Sequence, residues 1–256
     1  KYLIDIIAGP RQVGKTTAAL YISDIWDGEV HYANADTALG SGSEWIIFHW
    51  NQIRMKPTKK KQPNLLILDE IQKIPNWSEI VKGLWDEDRR KKNPIRVILL
   101  GSSALLMTKG LSESLSGRFM LHRFTHWNYT ECNEAFGMNL NEWIYYGGYP
   151  GAENLIKDLI GWKQYISDSL IETAISRDIL ALQTIHKPAL LRNLFTLSVR
   201  YPAQILSYNK MLGQMHDAGN TTTLTHYLKL LETAFLVSGI ENFSFSDIRK
   251  KNSSPK

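Results

Sequence analysis

A single cysteine, Cys132, stands among 256 residues, so neither a disulfide nor a cysteine-based zinc site can form within the chain, and a reducing cytoplasm is the expected compartment. Long apolar runs are missing as well. The longest, Val97 to Met107, is broken by Gly101, Ser102 and Ser103 and falls well short of the about 20 residues that span a bilayer, so no membrane association is expected. No basic segment leading into an apolar stretch and a cleavage site opens the chain. The seven histidines show no metal-ligand spacing, and nothing recommends Ser/His/Asp catalysis. Neither sign of charge dominates: 30 Lys and Arg against 25 Asp and Glu give +5, which permits contact with nucleic acid without demanding it. Internal repeats and low-complexity tracts are likewise missing. With 43% hydrophobic and 21% charged residues, the composition is that of an ordinary globular protein, long enough for one large α/β domain or for a core of about 150 residues plus a smaller one. Beginning at Lys1 and ending in the polar stretch Arg249 to Lys256, the chain reads as a fragment.

What is present is a glycine loop in the right setting. The apolar segment Tyr2 to Ala8 feeds into Gly9, Pro10, Arg11, Gln12, Val13, Gly14, Lys15 and Thr16, and the helix-capable stretch Thr17 to Ile25 leaves it. The spacing G-x-x-x-x-G-K-T lets successive backbone N–H groups turn inward around a phosphate with a helix dipole behind them, Lys15 on the outer phosphates and the Thr16 oxygen on Mg²⁺. Binding of a nucleoside triphosphate is therefore expected. The guanine-reading pattern N-K-x-D lacks its aspartate in Asn209-Lys210-Met211-Leu212, which disfavours GTP and leaves ATP.

The remaining strands follow from apolar runs. Glu29 to Ala33, Leu65 to Leu68, Ile95 to Leu100 and Phe119 to Phe124 read as strands two to five, the last preceded by a helical stretch over Ala104 to Ser116. Runs apolar on both faces suit central parallel strands, and strands alternating with helices imply a doubly wound α/β sheet with ligands at the carboxyl ends of the strands. After Thr125 the pattern becomes helical, which places a boundary near residue 126, and Gly147-Gly148-Tyr149-Pro150 divides two helical stretches. Ala203 to Met215, His216 to Asn220 and Thr221 to Phe235 read as helix, turn, helix, with Leu224, Tyr227, Leu228, Leu231 and Phe235 on the apolar stripe. Leu236 to Phe245 is a candidate wing. Such an element contacts either DNA or a protein.

Asp69 and Glu70 end the third strand. Asp69 is placed to serve the Mg²⁺, and Glu70, one position on, to polarise an attacking water, which hydrolysis needs and transfer to a bound acceptor does not. Ser102 or Ser103, at the end of the next strand, can sense the γ-phosphate. Arg118, just before the fifth strand, can emerge at a subunit edge and neutralise charge on a neighbour's γ-phosphate, in which case the active form is a homo-oligomer. The basic groups Arg54 to Lys61 and Arg89 to Lys92 fall at the amino-terminal edge of the sheet and read either as solvated loops or as a rim for nucleic acid or an acidic partner.

With these residues assembled, the chain resembles a large family of prokaryotic AAA-like ATPases that join a P-loop domain to a winged helix and then to a restriction-endonuclease-like C-terminal domain. Gly9 to Thr17 (G-P-R-Q-V-G-K-T-T), Leu68 to Gln72, Gly101 to Ser103, Ser114 to Arg118, Gly147 to Pro150 and Arg177-Asp178 carry the resemblance. It implies an ASCE-type P-loop sheet in which the strand ending at Ser102 lies between the P-loop strand and the Asp69 strand. It also implies a role for Thr17 beside the loop and for Pro150 against the adenine. The chain would then comprise a P-loop ATPase core over 1–125, a helical lid over 126–200 and a winged-helix-like region over 201–256, stopping before the nuclease-like domain. The expected activity is Mg²⁺-dependent ATP hydrolysis that drives conformational change in an oligomer. The alternative is a slow-turnover nucleotide switch or DNA-binding regulator acting through the winged helix.

Overall fold

The computed structural model describes residues 2–37, 42–58, 62–93, 95–102, 114–180, 185–204, 207–215 and 220–240. Five apolar segments form β1 (Ile4–Ala8), β2 (Val30–Asn34), β3 (Leu65–Asp69), β4 (Arg96–Gly101) and β5 (Phe119–Arg123). They pair in the order β2-β3-β4-β1-β5. Every pairing is parallel, so all five carboxyl ends lie along one edge of the sheet. As expected, β4 lies between the P-loop strand β1 and the Asp69 strand β3.

Because helices cover both faces, the central strands carry apolar side chains at consecutive positions instead of alternating. Leu66 and Leu68 of β3, with Val97 and Leu99 of β4, pack on one face against α2 (Ser43–Arg54) and α3 (Trp77–Lys91) through Trp45, Trp50, Trp77 and Trp85. Leu65 and Ile67, with Ile98 and Leu100, pack on the other face with Ala19 of α1 (Lys15–Ile25). The result is a three-layer α/β/α arrangement.

Under the first face a polar network ties α2 to α3. The buried Asp88 carboxylate accepts from the Trp50 indole at 2.6 Å and from Arg54 Nε at 2.8 Å, while Arg54 Nη2 reaches Glu87 at 2.9 Å. A buried carboxylate is tolerated because both its oxygens are bonded and a guanidinium matches its charge. Arg54, expected in a solvated or partner-facing basic group, is instead a structural ion-pair residue, with its side chain 18% exposed.

Residues 103–113 lie outside the described residues, and with them most of the expected helix over Ala104 to Ser116; residues 114–118 form turns leading into β5. Helices then follow at Tyr129–Phe136 and Leu140–Tyr146, each opened by an asparagine capping box, and a 3₁₀ segment at Pro150–Leu155.

The chain divides into two compact units, 1–162 and 163–256. In the second, π-helical turns cover Tyr165–Glu172 and Ala174–Leu180, and helices cover Pro188–Arg200, Tyr208–Gln214 and Thr221–Thr233. The expected apolar stripe of the last helix is buried at Leu224, Tyr227, Leu228 and Leu231, with Leu230 added, whereas Thr222, Thr225, His226 and Lys229 are exposed. The helix expected from Ala203 starts at Tyr208, where the Ser207 side chain accepts from the Lys210 amide and caps it. Residues 236–240 form no strand, and the rest of the candidate wing lies outside the described residues. No described helix is long and apolar enough to cross a membrane.

Candidate nucleotide site

The turn from β1 into α1 is held by specific backbone demands. Gly9 lies so close to the end of β5 that a Cβ there would meet the Phe124 carbonyl oxygen at 2.4 Å, so only glycine fits. At Gly14, φ of 92° in the left-handed region turns the chain into α1. Gln12 also adopts positive φ, a conformation that non-glycine residues take rarely and that clusters at ligand-binding loops. The first turn of α1 has no side-chain cap, which leaves its amides for a ligand. Lys15, the first residue of α1, is buried, and its ammonium donates to the carbonyls of Gly9 at 3.0 Å and Pro10 at 2.5 Å, across the mouth of the loop. Pro10, Arg11 and Val13 complete the loop, Val13 buried and Arg11 half-buried, while Thr17 is exposed on the first turn of α1.

The carboxyl ends of β3 and β4 bring the acidic pair to this loop. Thr16 Oγ1 donates to Asp69 Oδ2 at 2.7 Å, Tyr32 donates its phenol to the same oxygen at 3.0 Å, and the Glu70 amide donates to Asp69 Oδ1 at 2.8 Å. Three donors on a carboxylate only 2% exposed fix its position. Burial first, then the Asp69 carboxylate, push the Tyr32 phenol up to about 12, so it remains a donor throughout the physiological range. A hydroxyl and a carboxylate brought together from two elements suit Mg²⁺, which takes one or two protein oxygens and completes its octahedron with phosphate oxygens and water. The residues present therefore fit that ion.

Glu70 is half-buried and left-handed at φ 53°, ψ 33°. Its Oε2 accepts from Ser102 Oγ at 2.9 Å and from Gln72 Nε2 at 2.5 Å. Ser102, buried just beyond β4, thus joins the acidic pair; Ser103 lies outside the described residues.

Arg118 does not join them. Its carbonyl accepts from the Ile4 amide at 2.9 Å where β1 and β5 begin, five residues or about 16 Å from the loop edge at the usual rise per strand residue. There it forms a bidentate pair with Asp86 of α3, Nε to Oδ1 at 3.2 Å and Nη2 to Oδ2 at 3.1 Å, with its side chain 30% exposed. The loop of its own chain is out of its reach.

Pro150 starts the 3₁₀ segment after Gly148-Tyr149 and is half-buried. This turn is tied to the phosphate loop through Trp127. The Trp127 amide donates to the Gly148 carbonyl at 3.0 Å, the Trp127 indole donates to the Val13 carbonyl at 3.0 Å, and the Trp143 indole donates to the Trp127 carbonyl at 3.2 Å. Beside it, His126 bonds the Tyr149 hydroxyl at 2.8 Å, and burial holds its imidazole below the usual value.

Two residues of this constellation carry no motif, and a third, Gln72, belongs to the Leu68–Gln72 string without a role assigned to it. Tyr32 is an ordinary strand aromatic by sequence. Trp127 had only its place between a sheet-like and a helical pattern to single it out. Gln72 has a readable signal: an amide between Ile71 and Ile74, just past a strand apolar from Leu65 to Leu68, where burial demands a polar partner.

Residues 1–133 match the family model described as AAA domain, and residues 137–256 match a domain of unknown function. Among curated proteins, the uncharacterized protein MJ1544 of Methanocaldococcus jannaschii is 24% identical over 206 residues, covering 72% of this chain; the chain spans 44% of that relative's length. Among solved structures, the RuvB Holliday junction branch migration motor of Thermotoga maritima is similar at 14% identity and a TM-score of 0.45, over 97% of this chain and 86% of that one. AMPPCP-bound DnaA from Aquifex aeolicus is similar at 15% identity and a TM-score of 0.42, over 91% and 82%. With its parallel sheet, its G-x-x-x-x-G-K-T loop and its adjoining acidic pair, the chain belongs to the AAA domain family of P-loop ATPases.

Proposed function

We propose that this chain binds ATP with Mg²⁺ at the Gly9–Thr16 loop and hydrolyses it, and that turnover drives conformational change in a homo-oligomer. The observation that carries the reading is the contact of Thr16 with Asp69 at 2.7 Å alongside a Glu70 carboxylate fixed by Ser102. Loop amides from Gly9 to Thr16 and the α1 dipole hold the phosphates, with Lys15 turning its ammonium from the Gly9 and Pro10 carbonyls to the outer phosphate oxygens. Thr16 and Asp69 would hold Mg²⁺, which would supply positive charge against the phosphates. Glu70 takes a proton from the attacking water, Ser102 or Ser103 links the state of the γ-phosphate to Glu70, and Pro150 packs against the adenine. Because Arg118 sits at the far edge of its own sheet, its role on a γ-phosphate is in trans, on a neighbouring copy. The helices Tyr208–Gln214 and Thr221–Thr233 supply the surface for a DNA or protein partner in a winged-helix-like region. With a single cysteine in the chain and hence no internal disulfide, the protein is placed in a reducing cytoplasm.

Steady-state phosphate release tests the proposal. Wild type is expected to release phosphate only with Mg²⁺, and Glu70→Gln to stop release while keeping nucleotide affinity. Equal, slow release by both proteins would favour the nucleotide-switch reading instead.

A further inference from the structure

We infer that Gln72 is a positioning residue for hydrolysis, acting through Glu70; the inference rests on the proposed role of Glu70 as base. Gln72 lies in the single 3₁₀ turn Ile71–Lys73 that follows β3. In an extended strand, residues i and i+2 stand about 6.5 Å apart with their side chains parallel on one face. The left-handed backbone of Glu70, closed by the Lys73 amide onto the Glu70 carbonyl at 3.0 Å, reverses the chain within one residue and brings the Gln72 amide back beside the Glu70 carboxylate. Gln72 Nε2 then donates to Glu70 Oε2 at 2.5 Å, and Ser102 Oγ donates to the same oxygen at 2.9 Å.

Both bonds fall on one oxygen, which has a chemical consequence. They clamp the carboxylate from two elements, the β3 turn and the end of β4, and leave Oε1 to accept the proton of the attacking water. Ser102 alone would let the carboxylate swing about a single contact. Gln72 removes that freedom, and near-attack geometry is sensitive to displacements on this scale.

The orientation of the amide is fixed by charge, because a flipped Gln72 would set its carbonyl oxygen against the carboxylate. The consequence is visible on the other end of the side chain. Gln72 is 8% exposed, and its Oε1 is buried with no hydrogen-bond partner among the described residues. A buried acceptor without a partner lowers stability, so an apolar side chain of the same length would suit the fold better than glutamine does. The contact with Glu70 is what glutamine supplies that methionine would not.

The test compares Gln72→Met with wild type and with Glu70→Gln in the full chain, measuring kcat for Mg²⁺-dependent ATP hydrolysis, Kd for Mg·ATP by calorimetry, and Tm. For Gln72→Met we expect kcat to fall about tenfold or more, the loss that follows removal of a donor to a charged acceptor, with Kd changed by less than about twofold and Tm unchanged or raised. Gln72→Ala, which adds no bulk, gives the same kinetic readout should the methionine variant fail to fold. Wild-type kcat in Gln72→Met, with Glu70→Gln inactive, would overturn the inference and leave the base reading standing. A parallel loss of Tm, Kd and kcat would also overturn it, since a merely structural glutamine behaves that way. Full turnover by Glu70→Gln would remove the base reading and this inference together.

Discussion

Replacing Gly148 by alanine tests whether the turn before Pro150 is held on the phosphate loop by the contacts described. A Cβ on Gly148 would lie 2.0 Å from the Trp127 carbonyl oxygen, 2.9 Å from its carbonyl carbon and 3.0 Å from its nitrogen. All three are backbone atoms, so no side-chain rotation relieves the clash and the two segments must separate by more than an ångström, about the gap between 2.0 Å and ordinary contact. Separation strains the bond from the Trp127 amide to Gly148 and the bond from the Trp143 indole to Trp127, each worth about 1 kcal/mol, on top of about 1–3 kcal/mol for overpacking. The sum, about 3–5 kcal/mol, lowers Tm by on the order of 10 °C in a unit of this size. As Trp127 moves it also withdraws its indole from the Val13 carbonyl, so Mg·ATP affinity falls with stability. Gly137→Ala is the control. There φ is 67° but no described residue lies within 4 Å of the added carbon, so the cost is the left-handed backbone alone, about 1 kcal/mol. Thermal melts of both variants and calorimetry with Mg·ATP decide the matter. A Gly148→Ala protein that melts with Gly137→Ala or above it would refute the reasoning.

Two further predictions follow from groups outside the loop. Arg118→Ala should leave Mg·ATP affinity of the protein unchanged and lower kcat, and mixing it with Lys15→Ala protein should restore turnover, since each supplies what the other lacks across an interface; hydrolysis that does not respond to mixing would argue against the in-trans role. His31 Nε2 and His49 Nδ1 share a hydrogen bond at 2.8 Å, which requires one ring to donate and the other to accept. Burial first holds both imidazoles below 6.5, followed by Lys56 for His31 and by His31 for His49. With folded pKa values depressed, the unfolded chain binds more protons, so stability is full above about pH 6.5 and falls as the pH drops through and below it. Thermal midpoints between pH 7.5 and 5.5 should decline in wild type and less steeply in His49→Phe; parallel curves would contradict the assignment.

Much of the sheet was legible because burial on both faces writes itself as uninterrupted apolar residues. Leu65 to Leu68 and Ile95 to Leu100 lie within a residue of β3 and β4, and the glycine turn between β1 and α1 follows from its spacing and its strand and helix context. What the sequence hid were contacts joined only by the fold. Arg54 meets Asp88 across 34 positions, and its basic neighbours made it look like part of a solvated cluster. Trp127 meets Val13 across 114 positions, and no local period marks it. Gln72 is two residues from Glu70, yet the bond depends on a left-handed glutamate that no propensity would place there. In the second unit the Thr221–Thr233 helix was readable from its stripe, whereas the start of the preceding helix was set by the Ser207 cap.

The most direct test of the central claim is a calorimetric titration of the folded chain with ATP, with and without Mg²⁺, beside Lys15→Ala. The account expects saturable binding that Mg²⁺ strengthens and that the lysine substitution weakens by at least about tenfold, given a buried ammonium lost from the phosphates. Absence of Mg²⁺-dependent binding in wild type, or identical isotherms for the two proteins, would contradict it.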